Sequence, residues 1–221
     1  MRLIRGVASQ SSFSGVAEHT ASTFQDNPNV AVVTFSAVSI GAADTGRLIV
    51  VAFSAEGSKT DSGLTATIGG VTATVTRLTN GADSAGRLYA VVPTGTTADI
   101  VFSFAGGGYR SRGVAISVFR LVGYATTPQD TKSQSGSASP SQNLTVVKNS
   151  VVIASMITDS ANTNMAWTNL TEHQEVTTFT MDHSQASKLT DVVAGTVTVN
   201  PTTTGGTASE TLLFATSFQP A

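Results

Sequence analysis

Six consecutive apolar residues, Leu48 to Phe53 (Leu-Ile-Val-Val-Ala-Phe), interrupt a chain that otherwise mixes apolar and polar positions. An unbroken run shows neither the 3.6-residue period of an amphipathic helix nor the two-residue period of a half-buried strand. Its brevity, its β-branched content and its flanks (Gly46-Arg47 before, Ser54 to Ser58 after) predict a strand buried on both faces. A near-copy, Val151 to Ile157, follows Asn149-Ser150 in the second half. Two doubly buried strands, one per half, imply sheets stacked around them.

Around these runs the pattern is that of short strands and turns. Asp26-Asn27-Pro28-Asn29 reads as a turn, and Val30 to Ile40 as a half-buried strand with Val33, Phe35 and Ala37 on one face. In Leu64 to Val75 the centre Gly69-Gly70 suits a two-residue type I′ hairpin, whose central positions both need positive φ. Pairing outward from it sets Ile68 on Val71, Thr67 on Thr72, Ala66 on Ala73, Thr65 on Thr74 and Leu64 on Val75. Apolar meets apolar and Thr meets Thr at each step. Arg87 to Val92, Asp99 to Phe104 (Ile100, Phe102 and Phe104 on one face) and Val114 to Leu121 complete the first half.

The second half follows the same plan at an offset near one hundred residues, with Glu210 to Phe218 in the place of Val114 to Leu121. The expected fold is therefore all-β, an antiparallel β-sandwich or jelly-roll-like body built from a duplicated unit of about five strands. Residues 1–25 read as an arm or edge strand, 26–124 as the first repeat and 125–142 as a long Ser/Thr/Gln/Pro-rich loop. Residues 143–221 read as a second repeat packed on the first.

Composition narrows the function. Of 221 residues only 12% are charged, against about a quarter in typical soluble domains. The formal net charge is −2 without a basic block, which argues against nucleic acid as a partner. No stretch approaches the roughly 20 apolar residues that span a bilayer, and Arg5 interrupts the place where a secretory signal needs its apolar core. A membrane partner and export are therefore not expected.

Candidate chemistry is sparse. Asp182-His183-Ser184 has triad-type residues, but neighbours on a strand point to opposite faces. Glu172-His173 with Glu175 lacks the second histidine of a zinc-binding helix and reads as a solvated turn or strand edge. Asp44, Asp61 and Asp83 sit in turn-like stretches where Asp serves the backbone. Catalytic, cofactor and metal residues are thus expected to be none. Arg47 and Arg87 each follow a glycine and open a strand, where they either cap strand ends or contact neighbours, with ordinary solvation as the plain alternative. The lone Trp167 is expected in the core or at a seam between the halves, with an exposed sugar platform as the alternative. One loop is a candidate contact site: Tyr109, Arg110 and Arg112, an aromatic among arginines, with a plain solvated tip as the alternative.

Phe35 to Val51 (Phe-Ser-Ala-Val-Ser-Ile-Gly-Ala-Ala-Asp-Thr-Gly-Arg-Leu-Ile-Val-Val) resembles a pattern in small β-rich virion proteins of tailed bacteriophages. Ile68-Gly69-Gly70-Val71 and Pro93-Thr94-Gly95-Thr96-Thr97-Ala98-Asp99-Ile100 are similar to segments of the same kind. The resemblance covers the first half best and carries no functional residues. It implies a non-enzymatic structural protein of the virion, assembled in the host cytoplasm: a capsid decoration, head-fibre or tail-associated protein. Its implied partners are other virion proteins and copies of itself. A carbohydrate-binding or adhesin module, with a glycan as partner, is the alternative.

Overall fold

The structure, a computed structural model, describes residues 13–60, 62–105, 108–136, 139–159, 164–204 and 210–221. Every regular element among them is a strand. The first half runs β1 (Val16–Asp26), β2 (Val32–Ser39), β3 (Leu48–Gly57), β4 (Gly63–Ile68), β5 (Val71–Thr72), β6 (Thr74–Asn80), β7 (Asp83–Val91), β8 (Thr97–Ala105) and β9 (Ser111–Val122). The second runs β10 (Asp130–Ser135), β11 (Gln142–Val147), β12 (Val151–Thr158), β13 (Asn164–Trp167), β14 (Thr171–Thr178), β15 (Met181–Leu189), β16 (Ala194–Val199), β17 (Pro201–Thr204) and β18 (Thr211–Phe218).

Antiparallel pairing builds two five-stranded sheets, ordered β1-β9-β3-β7-β6 and β10-β18-β12-β15-β14. A four-stranded sheet, β2-β8-β4-β5, backs the first; the pairs β11-β16 and β13-β17 back the second. The apolar runs explain the layering. Along β3, Ile49, Val51, Phe53 and Ala55 enter the core shared with β2, β4 and β8, while Leu48, Val50 and Ala52 meet Val151, Ile153 and Phe218. Along β12, Val152, Ala154 and Met156 join Trp167 and Val197 instead. Every residue of β3 and β12 is buried, as an unbroken apolar run requires. The result is a β-sandwich in each half, the two joined back to back along a seam between the five-stranded sheets.

Across that seam β1 lies against β14, β9 and β3 against β15, β3 and β7 against β12, β7 and β6 against β18, and β6 against β10. Strand for strand, each half presents the same surface to the other, as in an isologous two-fold interface. The expected unit of about five strands describes neither half, since among the described residues each carries nine.

Three local expectations change. The Gly69-Gly70 turn forms, with φ of 58° and 79°, and Ile68 pairs with Val71 and Thr67 with Thr72. Beyond Ala73 the chain crosses to the other sheet, so Thr74 pairs with Tyr89 and Val75 with Leu88, not with Thr65 and Leu64. A segment whose two strands serve both sheets, β5 in one and β6 in the other, buries more apolar surface than an isolated hairpin. Ala37 is exposed, because a bulge between Phe35 and Val38 gives it a φ of 52° and turns Val38 and Ile40 inward instead. The segment 125–142 is not all loop: β10 pairs along β18 and closes the second sheet as β1 closes the first. Its sequence, Asp-Thr-Lys-Ser-Gln-Ser, hides this because an edge strand need not bury either face. Of residues 1–25, the part from Val16 is the edge strand β1; residues 1–12 lie outside the described residues.

Candidate functional site

The loop singled out in the sequence divides. Tyr109 is buried, its ring stacked on Phe104 at 4.7 Å and lying over Gly57. It is a core residue, not a contact tip, because the chain needs an aromatic to fill the end of the first sandwich. Arg110 is exposed and its Nη1 donates to the Tyr109 carbonyl at 2.8 Å. Arg112 lies over the ring of Phe179 in the second half, 4.9 Å from its centroid. Trp167 is buried in the second core and donates to Ser184 Oγ at 2.6 Å, so neither it nor Tyr109 forms a sugar platform.

Both strand-opening arginines are buried and make contacts, so solvation describes neither. Arg47 donates to the carbonyls of Val92, Gly41, Gly95 and Thr94 at 2.7–3.0 Å and so ties two loops at one end of the first sandwich. Arg87 sits in the seam. Its guanidinium lies 5.4–5.8 Å from the ring centroids of Tyr89, Phe214 and Phe218, and Nη1 donates to Thr131 and Thr216 hydroxyls. Burial pushes its pKa down to about 10.

The other edge of the seam gathers all three histidines, which are remote in sequence. His19 on β1 and His173 on β14 stack with centroids 4.0 Å apart and planes 17° from parallel. Phe119 of β9 meets both rings at 5.3–5.4 Å. His19 Nε2 is bonded to Ser22 Oγ at 2.9 Å and His173 Nε2 to Ser187 Oγ at 2.8 Å. From Ser22 the chain of bonds continues through Ser117, Gln185 and Ser54 to His183 Nδ1, whose Nε2 meets Thr178 Oγ1 at 2.6 Å. The His173 segment is the edge strand expected of it, with Glu172 and Glu175 exposed, but the His173 ring itself turns into the seam.

Desolvation holds these imidazoles neutral. It lowers His183 to about 3 and, with the neighbouring His19, lowers His173 to about 4; His19 is lowered as well. Two imidazolium charges at this spacing would repel by about 1 kcal/mol in bulk water and about 4 kcal/mol near a protein surface. The stack opens into a cleft of about 210 Å³ whose floor is Phe119, Leu121 and Val151, with Glu18 and Lys188 at its mouth.

A serine bonded to an imidazole is the pair nucleophilic catalysis uses. Here Ser187 faces an imidazole of low basicity, and the ring beside that imidazole is another histidine rather than a carboxylate. The arrangement clamps strands. Asp182-His183-Ser184 separates as strand geometry requires: His183 faces the seam, while Ser184 bonds Trp167 and Glu172. Among the described residues no group of three or more His, Cys, Asp or Glu is arranged to hold a metal.

At the far strand ends a carboxylate group straddles the seam. Glu56 accepts from Thr180 Oγ1 at 2.7 Å, and Asp83 accepts from the Gly57 N–H at 3.3 Å. Desolvation raises Glu56, Glu210 and, to about 7, Asp83; Glu56 and Glu210 add to the rise at Asp83. Asp83 is thus more than a turn residue, and Asp61 lies outside the described residues. The local sequence signal for this cross-seam assembly is slight: Ser54 and Ser155 interrupt the apolar runs of the central strands, and Glu56 follows in β3.

The fold and its seam define a double β-sandwich whose halves meet across a seam lined with buried polar side chains. No family model matches the chain, and a search of curated proteins finds no match.

Proposed function

We propose that this protein is a non-enzymatic structural component of a bacteriophage virion that works by protein–protein assembly, as a capsid decoration or head- or tail-fibre-associated protein. One observation carries the reading beside the sequence resemblance. Among the described residues, Asp99 is the only charged residue on the strands of the outer sheets. The charged strand residues, such as Glu18, Arg77, Arg120, Lys132 and Glu175, belong to the inner sheets instead. A soluble protein ordinarily puts its charges on its outermost faces. Here those faces carry Val32, Thr34, Thr65, Thr145, Thr196 and Thr198, small uncharged side chains that desolvate cheaply when covered.

The test is light scattering after size exclusion, with co-sedimentation on capsids. Multimers or capsid attachment are expected, and Thr34→Lys or Thr196→Lys should abolish them without lowering the thermal midpoint. A monomer that ignores capsids, or assembly indifferent to both lysines, overturns the proposal; glycan binding by such a monomer would select the adhesin reading.

A further inference from the structure

The His19–His173 stack joins the two halves at an edge. β1 is an edge strand of its sheet: it pairs only with β9 and is bulged between His19 and Ala21. β14 pairs only with β15 and is bulged between Glu172 and Gln174, beside His173. Two neutral rings attract there; two charged ones do not.

The charged groups around the stack are few. On β1 Glu18 lines the cleft, and it is also 3.6 Å from Arg120 of β9. β15 contributes Lys188, a further cation. Glu172 on β14 is held by Ser184 Oγ, and the facing residues of β9 and β12 (Phe119, Leu121, Val151) carry no charge. One exposed carboxylate already shared with an arginine therefore faces two imidazoles and a lysine.

We propose that the His19–His173 stack is an acid-operated release: when both rings are protonated, β1 parts from β14 and the apolar floor over Phe119 is uncovered. The polar chain behind it loosens in the same step, since Ser22 is held by His19 on one side and Ser117 on the other. Neutral conditions keep the halves closed, and acid frees an edge strand for pairing or uncovers an apolar groove.

Hydrogen exchange of the full chain at pH 7.5 and pH 4.0, corrected for intrinsic rates, reads this directly. Amides of β1 and β14 should lose protection by about tenfold or more in acid while those of β3 and β12 keep theirs. The double variant His19→Phe, His173→Phe keeps a ring pair that cannot ionise and should hold β1 protection unchanged at both pH values. Should that variant fail to fold, His173→Phe alone leaves one titrating ring and should move the release at least about one pH unit lower. Unchanged protection of β1 in the wild type overturns the proposal. So does equal acid loss in the variant, which would assign the effect to His183 or the carboxylates.

Discussion

The two long edges of the seam are related by the same strand order, yet they are filled in opposite ways. Counted from the first residue of each central strand, Arg87 on β7 and Gln185 on β15 occupy equivalent ladder positions, opposite Ala52 and Ser155. At one edge a permanent cation is clasped by three rings and two threonines. At the other, a neutral amide links serines between imidazoles. Equivalent backbone positions thus give one edge whose charge state is fixed across the physiological range and one whose charge state depends on pH. The difference lies wholly in side-chain chemistry.

Removing the fixed cation should have the largest effect. Arg87→Ala strips packing from Tyr89, Phe214 and Phe218 and leaves Thr131 and Thr216 without their donor, so a loss of about 3 kcal/mol is expected. Because Arg87 stays charged until about pH 10 in the folded chain, that loss should be the same at pH 5, 7 and 9. Urea midpoints at the three pH values decide it. A loss that varies with pH would mean that this edge titrates too and would remove the contrast.

His183→Asn tests the titrating edge. At pH 7.5 the variant gives up at least one of two buried hydrogen bonds and should be about 2 kcal/mol less stable. The folded pKa of His183 lies far below its unfolded value, so its contribution is fully present above about pH 6.5 and is lost as pH falls towards 3. Within that window the wild type loses about 1.4 kcal/mol per pH unit through this group alone. The variant lacks that slope, and the two stability curves should cross near pH 5. Parallel curves would show that His183 does not set the acid limit.

How much of this was legible beforehand follows from the range of each interaction. β3 and β12 were readable because burial on both faces leaves an unbroken apolar run, and the Gly69-Gly70 turn because positive φ demands glycine. The crossing at Ala73 was not, since Thr74 and Val75 suit either partner strand equally well. β10 was hidden because an edge strand can be polar on both faces. The seam was illegible for a deeper reason. His19 and His173, or Ser54 and His183, are separated by more than a hundred residues, and each alone looks like a surface residue. Tyr109 failed in reverse: arginines beside it suggested exposure, while its ring fills the core.

The smallest expected effect concerns the carboxylates at the strand ends, where the sign of the pH dependence is opposite. Asp83 is raised to about 7, chiefly by desolvation, with Glu56 and Glu210 adding to it. An acid whose folded pKa exceeds its unfolded value contributes stability that is present below about pH 4 and is lost as pH rises through 7. Asp83→Asn keeps an oxygen for the Gly57 N–H and cannot ionise. It should therefore gain stability at pH 8, by about 1 kcal/mol once solvent screening of this partly exposed group is allowed for, and gain nothing at pH 4. Between those values the falling acid contribution and the rising histidine contribution oppose each other, which flattens the wild-type curve around pH 5 to 6. Thermal midpoints at pH 4, 6 and 8 measure it: a gain at pH 8 that persists at pH 4 would mean Asp83 is not the group that titrates.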